Sequence, residues 1–367
     1  MTIGRAAAGL ALAVLFASAP AVAEERGVVA LPFVFSSPET GIAVAGTAMY
    51  FSRKELATGY TGTNIVSVSG LYTEESQYMA ALSAGFYLGS GRWRVNNRLS
   101  VSEFPTHFYG IGNMTPEAAE EKYTPEQRAN ELTLQRWLGE RWYFGLRWDA
   151  RSIRILEAEE DGVVAEYYRE RGLEIREERL HGVGVVLTRD SRNAPFFPTM
   201  GSQTTLIAMH YPSSLGSQAD FQRYGADHRQ YLRLGRAGAL ALQLQGSRAT
   251  SNTPLPLQPK LGGGETMRGF YQGRYVDEIY LSSQVEARFP IIGRWQGVLF
   301  AAAGDVFSGT SEITDEHLKT SAGAGVRYAL QQRHRINLRL DVARGYTRGD
   351  AEESDKVSIY FNFTEAF

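Results

Sequence analysis

The chain of 367 residues contains no cysteine. Small exported domains often rely on disulfides, so a chain without them needs another way to close its fold. Nor does any apolar run reach the ~18 residues that a transmembrane helix requires. The formal net charge is only -2, and so even a balance gives no reason to expect nucleic acid as a partner. Catalytic and metal-binding signatures are missing too. His107, His181, His210, His228, His317 and His334 are scattered, none lies in a His-Glu-x-x-His pattern, and no Gly-x-Ser-x-Gly occurs. The expectation is therefore not an enzyme, with no metal and no cofactor.

What is present begins with an export signal. Arg5 supplies a positive charge, an apolar stretch follows over residues 6–19, and Ala21-Val22-Ala23 gives a small-x-small cleavage pattern. That order makes residues 1–23 a signal peptide. The polar Glu24-Glu25-Arg26 comes directly after it. Residues 24–367 show no composition shift or linker that would mark a second domain.

Period two dominates that region. In residues 278–289, Ile279, Leu281, Val285, Ala287 and Phe289 fall on one face; Tyr280, Ser282, Gln284, Glu286 and Arg288 fall on the other. Residues 321–330, 336–343 and 357–364 alternate in the same way. Successive side chains of a strand point to opposite faces, so each segment has an apolar and a polar side. A soluble sandwich alternates as well, but three features favour a membrane barrel. The segments run to about ten residues or more, enough for a tilted strand to cross a bilayer. Their polar faces carry charges of both signs, which suits a wet or ion-paired lumen. Connections also alternate between short, as at Gly139-Glu140 and residues 290–294, and long, as at 105–128, 156–177, 250–275, 306–319 and 345–355. Short periplasmic turns and long outer loops follow that rule. The mean hydropathy of -0.26 is no objection, because only alternate residues of such a strand face lipid.

Fifteen strands can be read directly, from near residue 43 to 366. Single-chain bacterial barrels hold an even number. Residues 27–35 supply one more, weakened by Pro32. The expected fold is an all-β, transmembrane antiparallel β-barrel of about sixteen strands. Residues 115–132, with Pro116-Glu117 and Pro125-Glu126 as helix starts, read as a helix-like piece of a loop.

Local motifs go further. Leu261-Gly262-Gly263-Gly264-Glu265-Thr266-Met267-Arg268-Gly269-Phe270 lies in the longest loop, ahead of five strands. It resembles the sixth-loop motif of the BamA/TamA-type bacterial surface antigen superfamily, in which a hydrophobic-Arg-Gly-aromatic tetrad folds back into the barrel. Arg189, Asp190 and Arg192, with Pro198-Thr199-Met200-Gly201 after them, are similar to the family's Arg-Asp…Pro-x-x-Gly turn. Ser37-Pro38-Glu39-Thr40-Gly41 and Phe108-Tyr109-Gly110-Ile111-Gly112-Asn113 resemble segments of its short members. Residues 323–328 and 338–341 are similar to its later strands, and Phe367 to the aromatic end that serves as an assembly signal.

The resemblance implies a loop latch built on Met267, Arg268, Gly269 and Phe270. An arginine carried into a lumen needs a carboxylate, since an isolated buried charge is costly. Glu286 on the next strand is the first expected partner and Asp305 the second. Many family members have Phe-x-Asp in a strand after the loop; here Phe300-Ala301-Ala302 puts alanine in the acidic place. Glu286, Arg288, Arg327, Arg339 and Asp341 are expected to form a mixed-charge lumen wall, read chiefly as a neutralising network rather than a selectivity filter. Gly262 to Gly264 permit sharp turns, and no Gly-Lys-Ser/Thr follows that would suggest a phosphate cradle.

Family members that insert or secrete proteins carry periplasmic POTRA domains ahead of the barrel. Only a few residues separate the cleavage pattern from the first strand here, so a barrel-only branch without POTRA domains is expected. Fold alone does not assign its task. The implied role is outer-membrane biogenesis or export of protein or lipid, with a passive pore or structural surface barrel as the alternative. Implied partners are outer-membrane lipid, the barrel-assembly machinery for its own insertion, and an unknown periplasmic protein or homo-oligomer for substrate capture.

Overall fold

The computed structural model describes residues 26–37, 41–56, 59, 61–74, 76–174, 177–235, 238–331, 336–348, 357–363 and 365–367. The expected signal peptide and the Pro38-Glu39-Thr40 part of the N-terminal motif lie outside them.

Among the described residues sixteen strands form the wall. They are β1 (Arg26–Ser37), β2 (Gly41–Glu55), β3 (Thr61–Thr73), β4 (Tyr78–Leu88), β5 (Trp93–Glu103), β6 (Glu121–Gly139), β7 (Trp142–Glu157) and β8 (Glu178–Asp190). They continue as β9 (Gly201–Tyr211), β10 (Phe221–Leu234), β11 (Gly238–Ala249), β12 (Ile279–Ile292), β13 (Trp295–Phe307), β14 (Lys319–Gln331), β15 (Ile336–Thr347) and β16 (Val357–Phe363). Each pairs antiparallel with the next in sequence. This is the up-and-down order of a membrane barrel. Among the described residues no helix is long and apolar enough to cross a membrane.

The alternation sorts side chains as a bilayer demands. Val44, Tyr50, Leu134, Leu146, Val185, Leu244, Leu299 and Ile359 are exposed on the outside. A soluble monomer does not carry so continuous an apolar surface. Trp93, Trp142 and Trp295 each open the strand after a short connection, where an aromatic girdle marks one membrane boundary. The opposite faces of β12, β14 and β15 turn Gln284, Glu286, Arg288, Arg327, Arg339 and Asp341 inward, all buried.

Two local expectations need correction. Residues 115–132 are not helix-like: one 3₁₀ turn, Glu117–Ala119, gives way to β6. Pairing with β5 and β7 outweighs the Pro-Glu start signals, and the register shifts between Thr124 and Pro125, where a proline fits without breaking the ladder. The loop at 156–177 instead contains a helix, α1 (Val163–Glu170). Pro32 is tolerated in β1, opposite Gly46. Among the described residues no ladder registers β1 against β16.

Beyond the longer connections the chain builds a dome. Phe108, Tyr123, Val164, Tyr167, Tyr168, Leu255 and Val276 pack into one buried cluster. The predicted Phe108–Asn113 motif thus sits on the long loop, and the Gly112 N–H donates to the Val276 carbonyl at 2.9 Å.

Candidate functional site

The long loop between β11 and β12 enters the lumen. Leu261, Met267, Phe270 and Tyr275 bury themselves against Ala302 and Val306 of β13. Gly269 has φ +105, and a Cβ there would lie 2.7 Å from the Gly345 nitrogen of β15. Only glycine allows both that backbone shape and that approach. The Gly269 N–H donates to the Tyr360 hydroxyl at 2.9 Å, and that hydroxyl donates to the Phe270 carbonyl at 3.1 Å. Tyr360 belongs to β16, so the loop is tied to the last strand.

Arg268 occupies the centre and is wholly buried. Its guanidinium meets Glu286 of β12 at 2.8 Å and Asp341 of β15 at 2.7 Å. Its carbon centre stacks 3.5 Å from the ring centre of Phe300 on β13. Around it the wall is knit together. Arg288 reaches Glu286 at 2.7 Å, Arg327 meets Asp341 and also Glu365 at 2.7 Å, and Arg339 approaches Asp341 at 3.5 Å. Four guanidiniums thus share three carboxylates, Glu286, Asp341 and Glu365. Such a network stabilises only while every member is matched.

The structure therefore brings Met267, Arg268, Gly269, Phe270 and Glu286 together, and the five expected wall residues Glu286, Arg288, Arg327, Arg339 and Asp341 form one network. Asp305 is the exception. It pairs with Lys319 at 2.7 Å and caps the Val306 N–H at 2.8 Å, and does not join Arg268. Period two puts Asp305 off the Phe300 face, and its place near the end of Trp295–Phe307 puts it toward the outer end of β13. The second carboxylate on Arg268 is Asp341, which had been placed in the wall only.

Phe367 and Ala366 are buried with Tyr231 and Ala241, and the Phe367 carbonyl accepts from Arg288 at 2.8 Å. The Asp190 turn sits beneath. Arg192 pairs with Asp190 at 2.8 Å, Arg189 donates to Ser202 at 3.0 Å, and the Pro198 carbonyl accepts from Arg288 at 3.4 Å. Gly201 has φ +94, and a Cβ there would strike the Ser191 carbonyl at 2.2 Å. Residues 191–200 thereby fold across the short-connection end, with Phe196 6.3 Å from Phe51 of β2.

Sequence reasoning missed Tyr360, Glu365, Lys319 and Arg274. Arg274 donates to the Thr115 hydroxyl and carbonyl at 2.9 and 2.8 Å and lies over Tyr109 and Tyr275. Its one available signal was its place four residues after the tetrad. Where the loop rejoins β12, burial pushes the Asp277 carboxyl up to about 6, with Glu278 and Glu312 adding to the rise. Among the described residues no group of His, Cys, Asp or Glu is arranged to hold a metal ion.

A profile of the Omp85 superfamily domain matches residues 61–367. Among solved structures, BamA from Haemophilus ducreyi lacking POTRA domains 1–3 is similar at 13% identity and TM-score 0.59, over 97% of this chain and 74% of that one. CdiB from Acinetobacter baumannii matches at 13% identity and TM-score 0.55, over 97% of this chain and 65% of that one. CdiB from Escherichia coli matches at 12% identity and TM-score 0.59, over 96% and 67%. The likeness at such identities is one of fold, and the chain spans about two thirds to three quarters of their lengths. No curated protein sequence matches it.

Proposed function

This chain belongs to the Omp85 superfamily, and from that premise we propose that it is a non-catalytic outer-membrane barrel that helps insert or export other macromolecules, protein or lipid. One observation carries the reading: Arg268 anchors the long loop inside the lumen between Glu286 and Asp341. A passive pore gains nothing from an arginine sealed in its channel. A barrel that alternates between closed and working states needs a plug whose hold is specific and reversible. Substrate capture falls to a periplasmic protein or to a second copy of the barrel, and the barrel-assembly machinery inserts the chain itself.

Depletion tests the task. Loss of the protein is expected to change the outer-membrane proteome or lipid composition before growth slows. An unchanged membrane would defeat the biogenesis reading. Single-channel recording tests the plug: the wild type should conduct little and flicker, and Arg268→Ala should conduct more. A large, steady wild-type conductance would favour the passive pore instead.

A further inference from the structure

Across the lumen from the seated loop lies a second, unfilled region. Strands β2 to β8 and residues 191–200 line a half-open cavity of about 950 Å³ near the short-connection end. Arg53, Arg94, Arg98, Arg141, Arg147 and Arg192 line it. Its two carboxylates are already engaged, Glu131 by Arg151 and Asp190 by Arg192. Arg53, Arg94, Arg98 and Arg147 have no carboxylate within ion-pair distance among the described residues. The recorded contacts of three of them are to neutral groups. Arg147 donates to the Thr133 hydroxyl at 2.9 Å, Arg98 donates to Ser83 at 3.4 Å, and Arg94 lies 5.8 Å from the Tyr87 ring centre.

We propose that this cavity binds a molecule carrying two or more phosphate groups. Like charges gathered on one concave wall raise the local positive potential and draw an anion in. The planar guanidinium fork matches phosphate oxygens in pairs, which makes arginine the preferred residue for that group. Register spreads the charges. Arg98 stands opposite Glu131 and Arg147 opposite Thr133, so β5 and β7 flank β6 with their guanidiniums. Two strand spacings of about 4.8 Å separate β5 from β7, which spreads the guanidiniums along the wall so that two phosphate groups can be gripped at once. The volume agrees, being at the upper end of small-molecule sites of about 300–1,000 Å³. Leu56, Ile65 and Tyr143 in the same lining offer an apolar surface for the body of the ligand. The site needs only the barrel and would exist whether or not the barrel opens.

Guanidiniums keep their charge at any working pH, so the pH dependence belongs to the ligand. A phosphomonoester gains its second charge near pH ~6, whereas carboxylates are ionised well below that. Binding is expected to tighten between about pH 5 and 7.5 for a phosphate ligand and to stay level for an acidic peptide.

Calorimetry on the whole barrel in detergent micelles tests the site. The probes are inorganic pyrophosphate, a diphosphorylated glucosamine-disaccharide lipid, the same lipid dephosphorylated, and a hexaglutamate peptide. At least one phosphate probe should bind, weaken with salt, and lose about tenfold in affinity or more in the Arg98→Gln, Arg147→Gln double variant. Binding of the phosphorylated lipid alone assigns the site to a lipid headgroup; binding of pyrophosphate as well assigns it to phosphate from either source. If the double variant fails to run as a heat-modifiable barrel, Arg53→Gln at the exposed mouth replaces it, with a smaller loss expected. No binding of either phosphate probe to the wild type overturns the proposal. So does unchanged binding in the folded variants, or tighter binding of hexaglutamate.

Discussion

Two walls of one lumen use the same residue type to opposite ends. On β12, β14 and β15, inward arginines share carboxylates so closely that Arg268, Arg288, Arg327 and Arg339 are all buried. On β5 and β7, Arg94, Arg98 and Arg147 face a cavity and touch hydroxyls and a ring instead, while Arg151 beside them is paired with Glu131 and Asp149. Period two puts both sets inside. What differs is the loop, which supplies Arg268 to one side only and drives water from it. An inward charge is thus a seal where a second element arrives to match it, and an open site where none does.

The largest break in this contrast should come from Arg268→Ala. It takes one cation from both Glu286 and Asp341, which keep Arg288 and Arg327, and hydrogen bonds to charged groups are worth about 1.5–3 kcal/mol each. The variant should lose its folded mobility on detergent gels at a clearly lower temperature than the wild type. An unchanged transition would remove Arg268 from the seal. Next is Gly269→Ala, which forces φ +105 on a side chain and drives it into Gly345. Strain of about 1–3 kcal/mol should appear as a smaller downward shift in the same melt, with the ion pairs intact.

Asp277, at the loop's exit, gives a subtler effect. Burial raises its carboxyl to about 6 from the ordinary 3.8. Its folded form holds a proton that the unfolded form releases, so its contribution is complete below about pH 4 and lost as pH rises through 6. Wild-type barrel should therefore melt relatively lower at pH 7.5 than at pH 4.5, and Asp277→Asn should flatten that part of the profile. A slope unchanged by the substitution would assign it to other groups. The smallest effect belongs to Arg98→Gln in the open wall, expected to stay within about 0.5 kcal/mol of the wild type in stability. A melt shifted as far as that of Arg268→Ala would erase the distinction between the walls.

The fold was legible because a barrel wall writes itself in alternation: Glu286, Arg288, Arg327, Arg339 and Asp341 all fall on polar faces of their strands, and all turn inward. Depth along the barrel is what alternation cannot supply. Asp341 reaches Arg268 because β15 registers it opposite Gly325, where a Cβ would lie 1.9 Å from the Asp341 carboxylate oxygen. That register depends on every pairing around the wall, not on the spacing within β15. Asp305 shows the converse: it lies near Phe300 in sequence, yet it sits toward the outer end of β13 and pairs with Lys319. Helix α1 and the dome escaped because short loop segments owe their shape to packing partners far away, as Tyr167 does to Leu255 and Val276.

Tyr360 carries a consequence of its own. One hydroxyl on β16 accepts from the backbone of Gly269 and donates to that of Phe270, so the loop and the last strand form a thermodynamic cycle with a common edge. Whatever free energy the strand's position lends to loop seating, loop seating must return to the strand's position. A ligand that dislodges the loop therefore loosens β16 by the same factor, and a force that displaces β16 weakens the loop's grip equally. Tyr360→Phe should uncouple the two motions while leaving Arg268 seated.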